Sequence, residues 1–266
     1  MNRNLEIGIV TDEVSRDLSE ALEIARSWDL SLFELREGSE RRFPDFTTDE
    51  VGLVDELIRS GGRITAVSPG ILKGSVADRQ NIRRELDDVL PRSIELARRF
   101  ECPLLIVFGF ERAPNDDRDR ALVSDVLTEV AETAAAADLT VAIENEPNFW
   151  FDRPGSSAEL LAEIGHPNLR LNWDPANQHW GGSLPDYDGF LALQRYIANI
   201  HVKDIDPDEP AAPWRPVGTG STPWRQILRW IINETDLGHV TIETHCEPLV
   251  ESSRRSLETV REIISK

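Results

Sequence analysis

The sequence predicts a single (β/α)8 TIM barrel, and three observations carry that reading. Eight short apolar runs alternate with amphipathic stretches from end to end of the 266 residues. The length suits eight such units, which together occupy roughly 250 residues. No linker, repeat break or low-complexity tract divides the chain, so one domain over 1–266 is expected. A long open doubly wound sheet is the competing architecture. The count of eight favours closure, and Gly8-Ile-Val-Thr-Asp after the first run is not the GxGxxG of a dinucleotide-binding turn.

The expected strands are Leu5–Val10, Leu32–Leu35, Ile64–Val67, Leu104–Phe108, Thr140–Ile143, Leu169–Trp173, Ile197–Val202 and Val240–Glu243. Apolar residues three and four apart mark helices between them. Leu18, Leu22, Ile24 and Ala25 line the first, and Val54, Leu57 and Ile58 the second. Ile82, Leu86, Val89, Ile94 and Leu96 run through a long third, with a kink expected at Pro91. Leu122, Val126, Leu127 and Val130 mark the fourth. Ile227, Leu228, Ile231 and Ile232 mark the seventh, and Leu257, Val260 and Ile263 the last. The longest irregular stretch, Asp204–Thr222, holds four prolines and Trp214 and reads as a lid or a surface connection.

Composition narrows the partners. The formal charge is -19, which disfavours nucleic acid and anionic membranes. No apolar run reaches the roughly 18 residues of a spanning helix, and Met-Asn-Arg-Asn-Leu-Glu does not open a signal peptide. A cytoplasmic protein with reduced thiols is expected. Cys102 begins one strand and Cys246 follows another, at opposite edges of a parallel sheet, so they are not expected to pair. Only three of the 29 basic residues are lysines, which makes Lys203, inside a candidate site, conspicuous.

The chemistry lies at strand ends. Val141-Ala142-Ile143-Glu144-Asn145-Glu146-Pro147 is an apolar run that ends abruptly in acid, with Pro147 blocking further pairing. The runs ending in Asp174, His201 and Glu243 repeat the pattern. In a barrel these are the C-terminal ends of strands five to eight, where active sites form. Two Glu, one Asp and one imidazole make a hard, oxygen-rich shell for one divalent metal ion, suited to Mn2+, Mg2+ or Co2+ and tolerant of Zn2+. Strand alternation puts Glu146 in phase with Glu144, Lys203 with His201, and His245 with Glu243, so these three are expected higher in the same cavity. Glu34, in strand two, and Arg36, just past it, are likewise in phase, and Ser68 follows strand three. Trp150, Trp180 and Trp214 are candidate walls for the C–H face of a sugar. His166 and His239 lie in helix-to-strand turns and read as structural. Val217-Gly-Thr-Gly-Ser reads first as the turn into the next helix, and second as a phosphate nest.

Glu144-Asn145, Asp174-Pro175, His201-Val202-Lys203-Asp204, Val217-Gly218-Thr219-Gly220 and Ile242-Glu243 together resemble the sugar phosphate isomerase/epimerase family, within the xylose isomerase-like TIM-barrel superfamily. The resemblance covers nearly the whole chain. It implies that Glu144, Asp174, His201 and Glu243 bind the metal. It also implies that Glu144 and Glu243 serve as the acid/base pair around an enediolate formed next to a carbonyl. The substrate implied is a small sugar, keto-sugar or polyol. Homodimers or homotetramers are common in such families, and no residue marks an interface.

The sequence departs from the epimerases at Asn177, where they carry a substrate-binding His. Asn donates a hydrogen bond but carries no proton, and His179 lies two residues on. Isomerisation, another epimerisation, and dehydration of an inosose or of 3-dehydroshikimate therefore stand as alternatives. A nuclease of the endonuclease IV type would need further histidines after strands two to four, where Glu34, Ser68, Phe108 and Gly109 stand. A barrel that only binds a ligand is the non-enzymatic alternative.

Overall fold

The computed structural model describes residues 5–39, 41–112 and 117–266. Eight parallel strands close into a barrel: β1 (Glu6–Val10), β2 (Leu32–Leu35), β3 (Arg63–Val67), β4 (Leu104–Phe108), β5 (Thr140–Glu144), β6 (Leu169–Trp173), β7 (Ile197–Val202) and β8 (His239–Ile242). Each pairs with the next in sequence, and β8 closes on β1 with Glu6 opposite His239. Helices cover the outside, and the main apolar core lies where their inner faces meet the strands.

Local signals explain most boundaries. Asp17 caps Leu18–Ser27, and Thr47 with Glu50 forms a capping box on Thr48–Arg59. Helices Pro154–Ile164 and Tyr187–Leu193 fill the fifth and sixth units, where the sequence stripe is short; Pro154 starts the first and Gly165, at φ 65°, ends it. The kink expected at Pro91 is instead a π turn over Glu85–Val89, between helical segments Arg79–Arg84 and Leu90–Arg99. A proline withholds its own N–H and crowds the preceding turn, so the irregularity precedes it.

Inside the barrel, Ala66, Leu104, Ile106 and Ala142 form a small separate apolar cluster. Glu144 lies two residues beyond Ala142, on the same face of β5, so the interior turns from apolar to ionic at the strand ends. The stretch from Asp204 to Thr222 contains a two-residue antiparallel ribbon, Asp204–Ile205 against Trp214–Arg215. Cys102 and Cys246 are both unpaired. No described helix is long and apolar enough to cross a membrane.

Candidate metal centre and active site

The four strand-end residues converge. Glu144 closes β5, Asp174 follows β6, His201 lies near the end of β7, and Glu243 follows β8. Each offers one ligand atom within 4.8 Å of the others, and all four residues are buried. His201 Nδ1 stands 3.1 Å from Glu144 Oε1 and 3.2 Å from Glu243 Oε2. Lys203 Nζ stands 2.7 Å from Glu243 Oε2 and 2.8 Å from Asp174 Oδ2.

Each member is held from behind. His201 Nε2 lies 3.0 Å from both carboxylate oxygens of Glu34, which also accepts from Asn199 Nδ2 at 3.2 Å. That contact favours a proton on Nε2, so Nδ1, which faces Glu144 and Glu243, is the nitrogen that would ligate a metal once its own proton is displaced. Asp174 divides its oxygens: Oδ1 caps helix Pro175–Trp180 by accepting from Asn177 N at 2.8 Å, while Oδ2 faces the cluster. Asn145 brackets the Asp174 backbone, accepting from its N–H at 2.7 Å and donating to its carbonyl at 2.8 Å. The Asn177 amide donates to the Asn145 carbonyl at 3.0 Å, so it braces the same turn.

The electrostatics balance buried anions against buried cations. Burial opposes charge on Glu243, but Lys203, His245 and His201 hold its carboxyl well below the ordinary range. Burial likewise opposes charge on Lys203, and Asp174 and Glu243 outweigh it, raising its pKa well above the ordinary value. The His201 imidazole is desolvated, yet Glu34, Glu243 and Glu144 raise its pKa well above the usual value. Asp174 goes the other way: burial raises its pKa in spite of Lys203.

Further charged side chains adjoin Glu243. Arg36 Nη1 donates to Glu243 Oε1 at 2.5 Å, and Nη2 reaches Asp12 at 2.6 Å and Glu13 at 2.5 Å. Glu13 in turn accepts from the His245 backbone N–H and stands 2.6 Å from its Nδ1. The sequence reading passed over Asp12 and Glu13. They follow β1, so the strand-end rule that found the other acids would have found them. From sequence, Glu34 is a candidate partner for Arg36, and Asp204, Glu146 or the substrate for Lys203. The structure pairs Arg36 with Asp12, Glu13 and Glu243, and Lys203 with Asp174 and Glu243, because the barrel brings distant strand ends together.

Of the remaining candidates, Trp214 is closest to the charge cluster. Lys203 Nζ sits 4.9 Å over its ring, and His245 meets it edge-on with centroids 5.4 Å apart. Trp180 packs 6.4 Å from Trp214. Trp150 is buried with Arg112 5.4 Å from its ring. Glu146 is half-buried, 3.4 Å from Lys73, and burial and Glu144 raise its pKa. His179 is half-buried with Nδ1 unpartnered. His166 accepts from Asn168 N at 3.2 Å, a turn-bracing role. The glycine loop is a nest filled from within. Asp204 Oδ2 accepts from Gly218 N at 2.9 Å and Gly220 N at 3.1 Å, and Oδ1 from Ile205 N and Thr222 N at 2.9 Å each. A phosphate therefore has no place there.

The donor set fits a divalent cation. Asp174 Oδ2 is buried and receives no directed hydrogen bond, its contact with Lys203 being an ion pair alone. One imidazole nitrogen and three carboxylates, with a carboxylate behind the imidazole, match a hard or borderline ion.

Comparison with known proteins identifies the family and the fold. The family described as xylose isomerase-like TIM barrel matches residues 22–263. A 3-dehydroshikimate dehydratase of Bacillus anthracis is 34% identical over 76 residues, a stretch spanning 29% of this chain and 27% of that enzyme. The crystal structure of the probable 3-DHS dehydratase AsbF, involved in petrobactin synthesis in Bacillus anthracis, superposes with a TM-score of 0.80 at 19% identity, covering 97% of this chain and 99% of that one. L-ribulose 3-epimerase gives 0.78 at 17% identity, covering 98% and 95%. The IOLI protein, solved with a zinc atom, gives 0.79 at 15%, covering 98% of each.

Proposed function

Because the chain belongs to the xylose isomerase-like TIM barrel family, we propose that it is a divalent-metal-dependent enzyme acting on a small hydroxylated ketone. It removes a proton from the carbon beside the carbonyl, and isomerisation or epimerisation is the first reading of the outcome. The observation that carries this is the buried quartet Glu144, Asp174, His201 and Glu243, each with a ligand atom within 4.8 Å of the rest. When bound, a divalent ion supplies Lewis-acid polarisation of the substrate oxygens. Glu144 and Glu243 reach the centre from β5 and from beyond β8, so one carboxylate takes the proton and the other returns it. Arg36 fixes Glu243 Oε1 and leaves Oε2 toward the centre. Glu34 sets the tautomer of His201, and Trp214 screens Lys203 from water.

Dehydration is the second reading, and two observations favour it. The 76-residue match is to a dehydratase, and Asn177, where the resemblance to the epimerases implies a substrate-binding His, turns its amide to the Asn145 carbonyl. A dehydratase makes the same proton abstraction and then expels a hydroxyl.

The test is deuterium exchange in D2O with Mn2+ present, across ketoses, inososes and 3-dehydroshikimate. Loss of the C–H signal beside the carbonyl is expected for one class. A new absorbance from a conjugated product would select dehydration. No exchange with any class would defeat the proton-abstraction reading.

A further inference from the structure

Arg42 follows β2 in the loop where Glu37 and Arg42 pair as an isolated antiparallel bridge. Its guanidinium is poorly partnered. Nη1 lies 3.4 Å from Glu37 Oε1, on a half-exposed side chain, and Nη2 lies 3.4 Å from Ser68 Oγ. Nε is buried with no partner. Both contacts lie beyond ordinary hydrogen-bond length. Some more exposed arginines pair more closely, Arg63 with Glu6 and Arg99 with Asp55 at 2.6 Å each, while others, such as Arg225 with Glu262 at 4.0 Å, do not. The fold also reserves space for Arg42. Gly70 has φ 74°, and a Cβ there would collide with Arg42 Nε. Burial and the nearby Arg36 charge lower the pKa of Arg42, while Glu37, Asp12 and Glu144 oppose them; its contact with Ser68, just past β3, puts the guanidinium at the strand-end mouth of the barrel. Ser68, just past β3, is buried.

We propose that Arg42, with Ser68, binds a carboxylate carried by the substrate whose carbonyl meets the quartet. This rests on the proposed function for the position of the reacting carbon, and it narrows the substrate to hydroxylated keto acids. A guanidinium fork matches a planar carboxylate in a two-point contact. Phosphate is the competing anion, because the same fork accepts it; the glycine nest at Gly218 and Gly220 is filled by Asp204 and adds no further donors for one.

The test uses quinate, a polyhydroxylated carboxylate without a ketone, its methyl ester, and fructose 6-phosphate. Each is titrated calorimetrically into wild type, R42Q and R42K with Mn2+ present. Quinate is expected to bind the wild type at least about tenfold tighter than the ester, the scale of a charge-assisted two-point contact. R42Q should bring that ratio near one with ester binding unchanged. R42K should keep part of it, since an ammonium keeps the charge without the fork. No quinate binding, an unchanged ratio in R42Q, or preference for fructose 6-phosphate would overturn the proposal. Melting with and without Mn2+ separates the two claims. Quinate discrimination without a Mn2+ shift defeats the metal reading and leaves the Arg42 site standing. A Mn2+ shift without discrimination does the reverse.

Discussion

Both carboxylate oxygens of Glu34 lie 3.0 Å from Nε2 of His201, with both side chains buried. A carboxylate behind a ligating imidazole raises its basicity and fixes its orientation. Glu34→Gln is therefore expected to weaken Mn2+ binding by about 10- to 100-fold, measured by titration of chelator-treated protein. Unchanged affinity would remove Glu34 from the metal account.

The same contact sets a pH dependence. Although burial opposes it, Glu34, Glu243 and Glu144 raise the His201 pKa in the folded chain. The stabilisation from the protonated ring is then full below its unfolded value of about 6.5 and is lost as pH rises through the folded value. Metal must displace that proton. The Mn2+-induced rise in melting temperature should therefore be larger at about pH 8.5 than at about pH 6. The opposite order would mean that His201 does not ligate.

Glu144 and Glu243 are given the proton transfer. Glu144→Gln and Glu243→Gln should each lower turnover by about 10²- to 10⁴-fold, with circular dichroism unchanged. Full activity in either variant would show that the two-carboxylate mechanism is wrong.

Glu13 and His245 predict an acid limb of stability. Burial opposes charge on Glu13, but the hydrogen bond and charge of His245, with Arg36, lower its pKa to about 2. A depressed carboxyl stabilises above its unfolded pKa and loses that contribution as pH falls toward the folded value. Urea unfolding of wild type should thus weaken between about pH 4.5 and pH 2 more steeply than that of Glu13→Gln. Parallel slopes would leave the pair without the assigned role.

Asp204 ties down the loop that carries Trp214. Its carboxylate accepts four backbone N–H groups, so Asp204→Ala leaves them without that partner. A loss of about 1–3 kcal/mol is expected, with faster proteolysis between Asp206 and Pro216. Equal cleavage rates would show that the loop is held by other contacts.

The architecture was legible because apolar periodicity and strand-end acids are local signals. Eight runs gave the eight barrel strands to within a residue or so at their ends, and the barrel rule turned Glu144, Asp174, His201 and Glu243 into one arc before any distance was known. Partners were less legible because they are set by register around a closed sheet. Arg36 and Glu243 are 207 residues apart, and no spacing rule joins them. Arg42 sits in a loop after β2, whose conformation no apolar pattern records. The π turn before Pro91 escaped for a related reason: proline announces a disturbance and leaves its form to packing.

The central claim is that the four strand ends hold one metal ion. Its most direct test is Mn2+ titration of chelator-treated protein, followed by thermal melting, on wild type and Asp174→Asn. One ion per chain, with a clear rise in wild-type melting temperature that the variant loses, is the result predicted. No binding and no shift in the wild type would contradict it and leave a barrel that binds ligands without metal chemistry.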